Sequence, residues 1–249
     1  MASPVIQTDG VKLSYRSGSV VTPVLRGIDL EVSQGECVFL VGPSGSGKTT
    51  LLSVLGCVLT ADEGRVSILG QDLTGLRTQE LVRFRREQIG FVFQRFHLFT
   101  ALRAWENVRV AFDLLGIAGC KGKQKSLELL DMVGLADRAY HRISQLSMGQ
   151  RQRVALARAL AGDPHLILAD EPTAALDGET GQSAMRILKD LCGRLNKTVV
   201  VVTHDNRIFS MADRTLTLVD GRIDQGTMSQ SSNHAGGNKA SELVGSGAA

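Results

Sequence analysis

The sequence predicts an α/β fold built on a mostly parallel sheet. Two apolar runs, Leu166-Ile-Leu-Ala169 and Thr198-Val-Val-Val-Val-Thr203, lack period-two alternation and suit strands covered on both faces. Between them, Gly178 to Arg194 is long enough to supply the crossover helix that parallel strands require. A third apolar run, Val38 to Val41, leads straight into a cluster of glycines. Around these anchors the first ninety or so residues read as short strands separated by turn signals, with a helical pattern from Thr50. From about 96 to 165 the character changes. Leu127, Leu130 and Val133 recur at helical spacing, Gly134 offers a stop, and Val154 to Leu160 continues the pattern, so this third reads as a helical insert. From Thr227 the composition turns to Ser, Gly, Asn and Ala, too poor in apolar residues to offset the entropy of ordering. The expected organisation is a single domain over residues 1–226, containing the insert, and a disordered tail over 227–249.

Composition excludes several classes. The 249 residues carry 28 Lys and Arg against 25 Asp and Glu, a formal charge of +3, with no long basic block, so a nucleic-acid partner is not expected. The longest apolar stretch, Leu51 to Leu59, is broken by Ser53 and Gly56 and is too short to cross a bilayer. Met1 to Lys12 shows no basic stretch followed by an apolar one, which predicts a cytoplasmic protein. Cys37, Cys57, Cys120 and Cys192 have no metal-ligand spacing and read as reduced thiols.

The glycine cluster, Gly42-Pro43-Ser44-Gly45-Ser46-Gly47-Lys48-Thr49, fits the phosphate-loop pattern G-x-x-x-x-G-K-[ST], between a strand and a helix as that pattern requires. Glycines let successive N–H groups face one anion, the helix starting near Thr50 adds its positive end, Lys48 reaches the β and γ phosphates, and Thr49 can ligate Mg²⁺. A P-loop NTPase core is therefore expected, with a nucleoside triphosphate and Mg²⁺ as its ligands. A phosphate loop alone leaves kinases, GTPases and motors open. Asp170 and Glu171 end the strand 166–169, and ligands gather at the carboxyl ends of parallel strands. Asp170 there can hold Mg²⁺ through water, while Glu171 orients an attacking water, which points to hydrolysis. His204 ends the next strand in the same way; alone it would read as structural, but three strands now send Lys48, Glu171 and His204 to one edge.

Leu146-Ser147-Met148-Gly149-Gln150, followed by Arg-Gln-Arg-Val-Ala-Leu-Ala-Arg-Ala-Leu160, resembles the signature of ATP-binding-cassette (ABC) ATPases. Read by themselves, Ser147 and Gln150 have the spacing of a capping box. The order of Gly42–Thr49, Gln94, the signature, Asp170–Glu171, Asp177 and His204 matches that family over about residues 5–225. The resemblance implies a RecA-like core that binds ATP with Mg²⁺, an N-terminal antiparallel β subdomain and an inserted α-helical subdomain. It also implies a sandwich of two copies, in which Ser147 and Gly149 of one chain meet the γ-phosphate held by the other. Tyr15 would stack on adenine, Gln94 would link the γ-phosphate and Mg²⁺ to the insert, and Asp177 would couple the two sites. Met148 departs from the glycine usual at its position. Within the family the likeness is to the MacB/LolD group and its DevA-like exporter ATPases, carried by Ala169–Asp177, Thr203–Ile208 and Ala212–Arg214. That likeness implies a MacB/DevC-like integral-membrane permease, a periplasmic membrane-fusion protein reached through it, and a place on the cytoplasmic face of the inner membrane. The alternative is a single-cassette ATPase of cell division or iron–sulfur assembly.

Four of the eight phenylalanines, Phe91, Phe93, Phe96 and Phe99, fall within nine residues around Gln94. Alternate residues of a strand share a face, so Phe91 and Phe93 are expected inside. Phe96 to Phe99, with His97 and flanked by Arg95 and Arg103, are expected on the surface as the permease contact.

Overall fold

The structure, a computed structural model, describes residues 4–230. Strands β1 (Ile6–Ser17) and β2 (Val20–Val32) lead to β3 (Cys37–Val41), α1 (Lys48–Leu55), β4 (Glu63–Ile68), β5 (Gln71–Asp72), α2 (Thr78–Gln88) and β6 (Ile89–Val92). Helices α3 (Ala104–Leu114), α4 (Gly119–Met132) and α5 (Met148–Ala159) follow. The chain then completes its sheet with β7 (Leu166–Asp170), α6 (Gly178–Arg194), β8 (Thr198–Val202), β9 (Arg214–Val219) and β10 (Arg222–Gln230).

Two sheets result. One is antiparallel, in the order β2-β1-β4-β5; the other runs β10-β9-β3-β8-β7-β6 and is parallel except for the β9–β10 hairpin. The central strands explain their own uniform hydrophobicity. Val38, Leu40, Leu166, Leu168, Val200 and Val202 point into a core shared with α1 and the antiparallel sheet. Their neighbours Cys37, Phe39, Ile167, Ala169, Val199 and Val201 point the other way, into a core shared with α3, α4, α5 and α6. Each fully buried Val, Leu or Phe contributes about 1.5–3 kcal/mol, so neither face can accept polar residues and no alternation survives.

The expected parallel core and the crossover helix Gly178–Arg194 are found as read. Three local expectations need correction. The opening strands are not short: β1 and β2 have 12 and 13 residues, and their alternation was masked by register shifts around Gly10 and between Leu13 and Ser14. Helix α2 was not foreseen; only Phe84 in it is buried, so it carries almost no apolar stripe to read. Finally, β10 continues past Thr227 to Gln230 through backbone pairing with β9, which sequence composition does not report. The rest of the expected tail, 231–249, lies outside the described residues. Among the described residues no helix is long and apolar enough to cross a membrane.

The helical segment is seated on the sheet through a missing side chain. A Cβ on Gly90 of β6 would run into the carbonyl oxygen of Ala159 at the end of α5 and would lie 2.7 Å from Ile167 Cδ1. Gly90→Ala should therefore lower the urea midpoint, with a loss of about 1–3 kcal/mol from overpacking; an unchanged midpoint would show that α5 yields freely.

Candidate functional site: a phosphate loop and an acidic strand end

Residues 42–47 curl because three of them are glycines with positive φ, Gly42 at 141°, Gly45 at 81° and Gly47 at 104°. Any side chain at Gly42 would collide with the carbonyl of Leu218 on β9, and Gly47 has Val24 O 3.1 Å from its would-be Cβ. The loop is thus wedged between β2 and the β9–β10 hairpin, whose Gly221 donates its N–H to Ser46 O at 3.1 Å. No side chain caps α1, so its first N–H groups, which have no intrahelical acceptor, face the loop. Lys48 Nζ lies in the hollow, donating to Gly42 O and Pro43 O at 2.8 Å each. Ser46 Oγ is buried with no hydrogen-bond partner among the described residues. An orphaned hydroxyl, free amides and a buried ammonium in one cradle are what a polyphosphate requires.

The two acidic residues complete the edge. Thr49 Oγ1 donates to Asp170 Oδ1 at 3.2 Å, joining the start of α1 to the end of β7. Burial raises the Asp170 carboxyl above its usual range, and the Thr49 hydrogen bond only partly opposes this; a cation beside it would restore the charged form. Among the described residues no three His, Cys, Asp or Glu cluster as metal ligands. A small oxygen-loving ion would therefore rest on phosphate oxygens with few protein ligands, Thr49 and Asp170 among them, the kind of site Mg²⁺ favours.

Glu171, the next residue, has a left-handed backbone (φ 47°) and donates its N–H to Val202 O of β8 at 2.8 Å. Its carboxylate Oε1 lies 2.8 Å from Nδ1 of His204, and Oε2 accepts from the His204 N–H at 3.4 Å. Tyr15 is exposed on β1, with its hydroxyl 3.4 Å from Thr50 Oγ1, so an exposed ring flanks the phosphate loop.

The remaining predicted residues lie elsewhere on the chain. Ser147 and Gln150 form the foreseen capping box, Gln150 N–H to Ser147 Oγ at 3.3 Å and Ser147 N–H to Gln150 Oε1 at 3.0 Å. A side chain at Gly149 would strike Thr180, so α5 starts against the start of α6. Asp177 caps α6 by accepting from Thr180 N–H at 3.0 Å. Gln94 is exposed and shares an open groove with Arg95, Phe96, Met148, Arg151, Ala174 and Ala175. Met148 is 45% exposed there, 4.0 Å from Arg151 Nη1.

The phenylalanines divide differently from expectation. Phe91 and Phe93 are half-buried and stacked on each other at 5.3 Å, since β6 ends at Val92 and Phe93 is no longer on a strand. Phe96 was expected on the surface and is buried instead, packed on Ala155, Leu176 and Ala184. The cause is a turn with positive φ at Phe96 and His97, clamped by Arg158, which donates to both their carbonyls at 2.6 Å. His97 and Phe99 are exposed as read, and buried Asn107 holds the Phe99 backbone by its N–H and its carbonyl.

A phosphate cradle and the acidic end of β7 on one sheet edge, with a capped helix start elsewhere, agree with the pattern of the ABC transporter family, which matches residues 25–174. The chain belongs to that family. The cassette is similar to the macrolide export ATP-binding/permease protein MacB 2 of Aeromonas hydrophila subsp. hydrophila, at 44% identity over 90% of this chain and 35% of that protein. The MacB of Photorhabdus laumondii subsp. laumondii shows 43% identity over 90% of this chain and 35% of its own. The chain thus spans about a third of the length of these curated relatives. Among solved structures, the ATP-binding cassette MJ0796, a dimer in a post-hydrolysis state bound to ADP and Pi, superposes with a TM-score of 0.81 at 40% identity, covering 90% of this chain and 98% of that one. This chain accordingly has the family and the fold of an ABC ATPase cassette.

Sequence reading missed Thr173, Asp205 and Arg207, which flank Glu171 and His204. Asp205 accepts from Arg207 Nε at 2.7 Å, Arg207 Nη2 at 2.8 Å and Thr173 Oγ1 at 2.9 Å. Chiefly through Arg207, these hold its carboxyl down at about 2. Because the folded value lies below the ordinary aspartate value, Asp205 stabilises the fold above about pH 4 and loses that contribution as pH falls through about 2. Asp205→Asn should lower the melting temperature near neutrality, by a margin that shrinks toward pH 2; a margin constant with pH would separate the effect from the charge.

Proposed function

We propose that this cassette hydrolyses ATP as one half of a two-copy sandwich and that closing and reopening this pair drives a separate membrane permease. The observation that carries the reading is the Glu171–His204 contact at 2.8 Å, set beside the Thr49–Asp170 pair and Lys48 on one sheet edge. Lys48 and the loop amides bind the β and γ phosphates, and Tyr15 offers a ring to adenine. Glu171 accepts a proton of the attacking water and aims its oxygen at the γ-phosphorus, so the products are ADP and phosphate. With Nδ1 engaged by Glu171, His204 has Nε2 left for the phosphate. Mg²⁺, when bound, neutralises phosphate charge, and Thr49, Asp170 and Gln94 are the side chains that would hold it. Ser147, Gly149 and the uncovered amides at the start of α5 serve the nucleotide of the other copy, and Asp177 lies where the two copies would meet. The partner follows from the MacB-type relatives: an integral-membrane permease of MacB/DevC type, exporting a lipid, glycolipid or other envelope substrate, with a membrane-fusion protein attached through it. The cassette then sits on the cytoplasmic face of the inner membrane.

Glu171→Gln should still bind ATP, lose about a hundredfold or more of its turnover, and sediment as a dimer with saturating Mg-ATP. Lys48→Ala should instead bind ATP at least about tenfold more weakly, since its charge meets the phosphates in ground and transition states alike. A Glu171→Gln chain that turns over normally, or stays monomeric with ATP, would overturn the assignment.

Exposed Phe99, with its backbone already fixed by Asn107, fits a permease contact better than a core residue. Phe99→Ala should leave ATP hydrolysis by the isolated cassette within about twofold of wild type and abolish the change in rate that reconstituted permease produces. Early melting of this variant would place Phe99 in the core instead.

A further inference from the structure

Two loops carry the reacting side chains: the one after β7 holds Glu171, and the one after β8 holds His204. They touch at two places. The first is the Glu171–His204 contact itself. The second lies one residue past His204 and two past Glu171, where the Asp205 carboxylate meets the hydroxyl of Thr173, a residue with no exposed surface. Asp205 takes four hydrogen bonds, from Thr173 Oγ1, Arg207 Nε, Arg207 Nη2 and the Arg207 N–H, while its own N–H donates to Thr203 Oγ1 at 3.0 Å. No lone pair is left to wander, and the carboxylate is fixed in both translation and rotation.

Something must hold these loops, because Glu171 sits in a left-handed conformation at φ 47° that costs a non-glycine residue on the order of 1 kcal/mol. Relaxing that residue would swing its carboxylate away from His204. The Asp205–Thr173 rung is anchored beyond the strained residue and opposes the swing. Arg207 extends the brace to the start of α6: a Cβ on Gly178 would lie 2.9 Å from Arg207 Nη1, so the guanidinium packs on the backbone next to Asp177, and Arg207 O accepts from Gln182 Nε2 of α6 at 3.4 Å.

We infer that Asp205, clasped by Arg207 and Thr173, is a positioning residue that sets the Glu171–His204 geometry for hydrolysis without touching nucleotide. The inference rests on the hydrolytic reading above. It predicts a split between turnover and binding, since only the transition state needs the pair aligned. Thr173→Val keeps shape and removes the one hydroxyl; Thr173→Ser restores it. Arg207→Ala removes the fork, and Arg207→Lys restores the charge without the bidentate geometry.

The test measures kcat, KM for ATP, fluorescent-nucleotide affinity and melting temperature for these four variants and one double variant of the whole chain. Thr173→Val, Arg207→Ala and Arg207→Lys should each lose about tenfold in kcat with nucleotide affinity within about twofold of wild type, and Thr173→Ser should recover to within about threefold. The double variant Thr173→Val/Arg207→Ala should lose less than the product of the single losses, because both act through one carboxylate. Folded Thr173→Val and Arg207→Ala with wild-type kcat, or with weakened affinity and unchanged kcat, would overturn the positioning role, as would an Arg207→Lys chain indistinguishable from wild type. A wild-type chain that binds ATP and never hydrolyses it would instead overturn the hydrolytic reading, and this role with it.

Discussion

Burial of β3, β8 and β7 on both faces is the constraint from which the site follows. Strands covered on each side must be apolar throughout, and their polar and charged residues are pushed to the ends. Parallel pairing then aligns those ends: Leu40 lies opposite Val202, and Asp170 also lies opposite Val202. Lys48, Asp170, Glu171 and His204 are scattered over more than 150 positions of sequence, yet Asp170 ends β7, Glu171 and His204 follow β7 and β8, and Lys48 closes the loop that follows β3, three adjacent strands of one sheet. The same register brings the Glu171 N–H to Val202 O, so the backbone of the Glu171 loop is tied to the strand that launches the His204 loop.

Outside the strands the backbone is held by polar clamps around strained residues. Phe96 and His97, both with positive φ, are gripped by Arg158 of α5, and the next loop residues by buried Asn107 of α3. Glu171 is braced through Thr173 and Asp205. A loop that had only apolar contacts would relax out of a left-handed conformation, whereas directed hydrogen bonds to carbonyls and carboxylates fix the turn in one form. These clamps also link elements. Arg158 joins the helix that begins at Ser147 to the loop that follows Gln94, and Arg207 joins the loop of His204 to the start of α6, against which Gly149 packs. The loops after β7 and β8 and the loop that packs on the helical segment are therefore mechanically continuous within one chain.

Local signals in the sequence sufficed wherever one short segment carries both the structure and its purpose. The glycines of 42–47, the unalternating runs at 166 and 198, the crossover helix from Gly178 and the capping box of Ser147 and Gln150 each declare themselves within a window of one element, because backbone conformation and burial there depend on neighbouring residues. Helix α2 escaped because it buries one residue and so lacks periodicity, and Phe96 was misplaced because a turn set by a distant arginine decides its direction. The Asp205 clasp was invisible for the same reason. Thr173 and Asp205 are 32 positions apart, and only the side-by-side pairing of β7 and β8 makes them neighbours. The sequence by itself determined which chemistry the chain carries, since residue type sets what a group can bind. Which groups meet, and in what orientation, was left to tertiary packing, because contacts between distant segments depend on strand order and register, which no local pattern encodes.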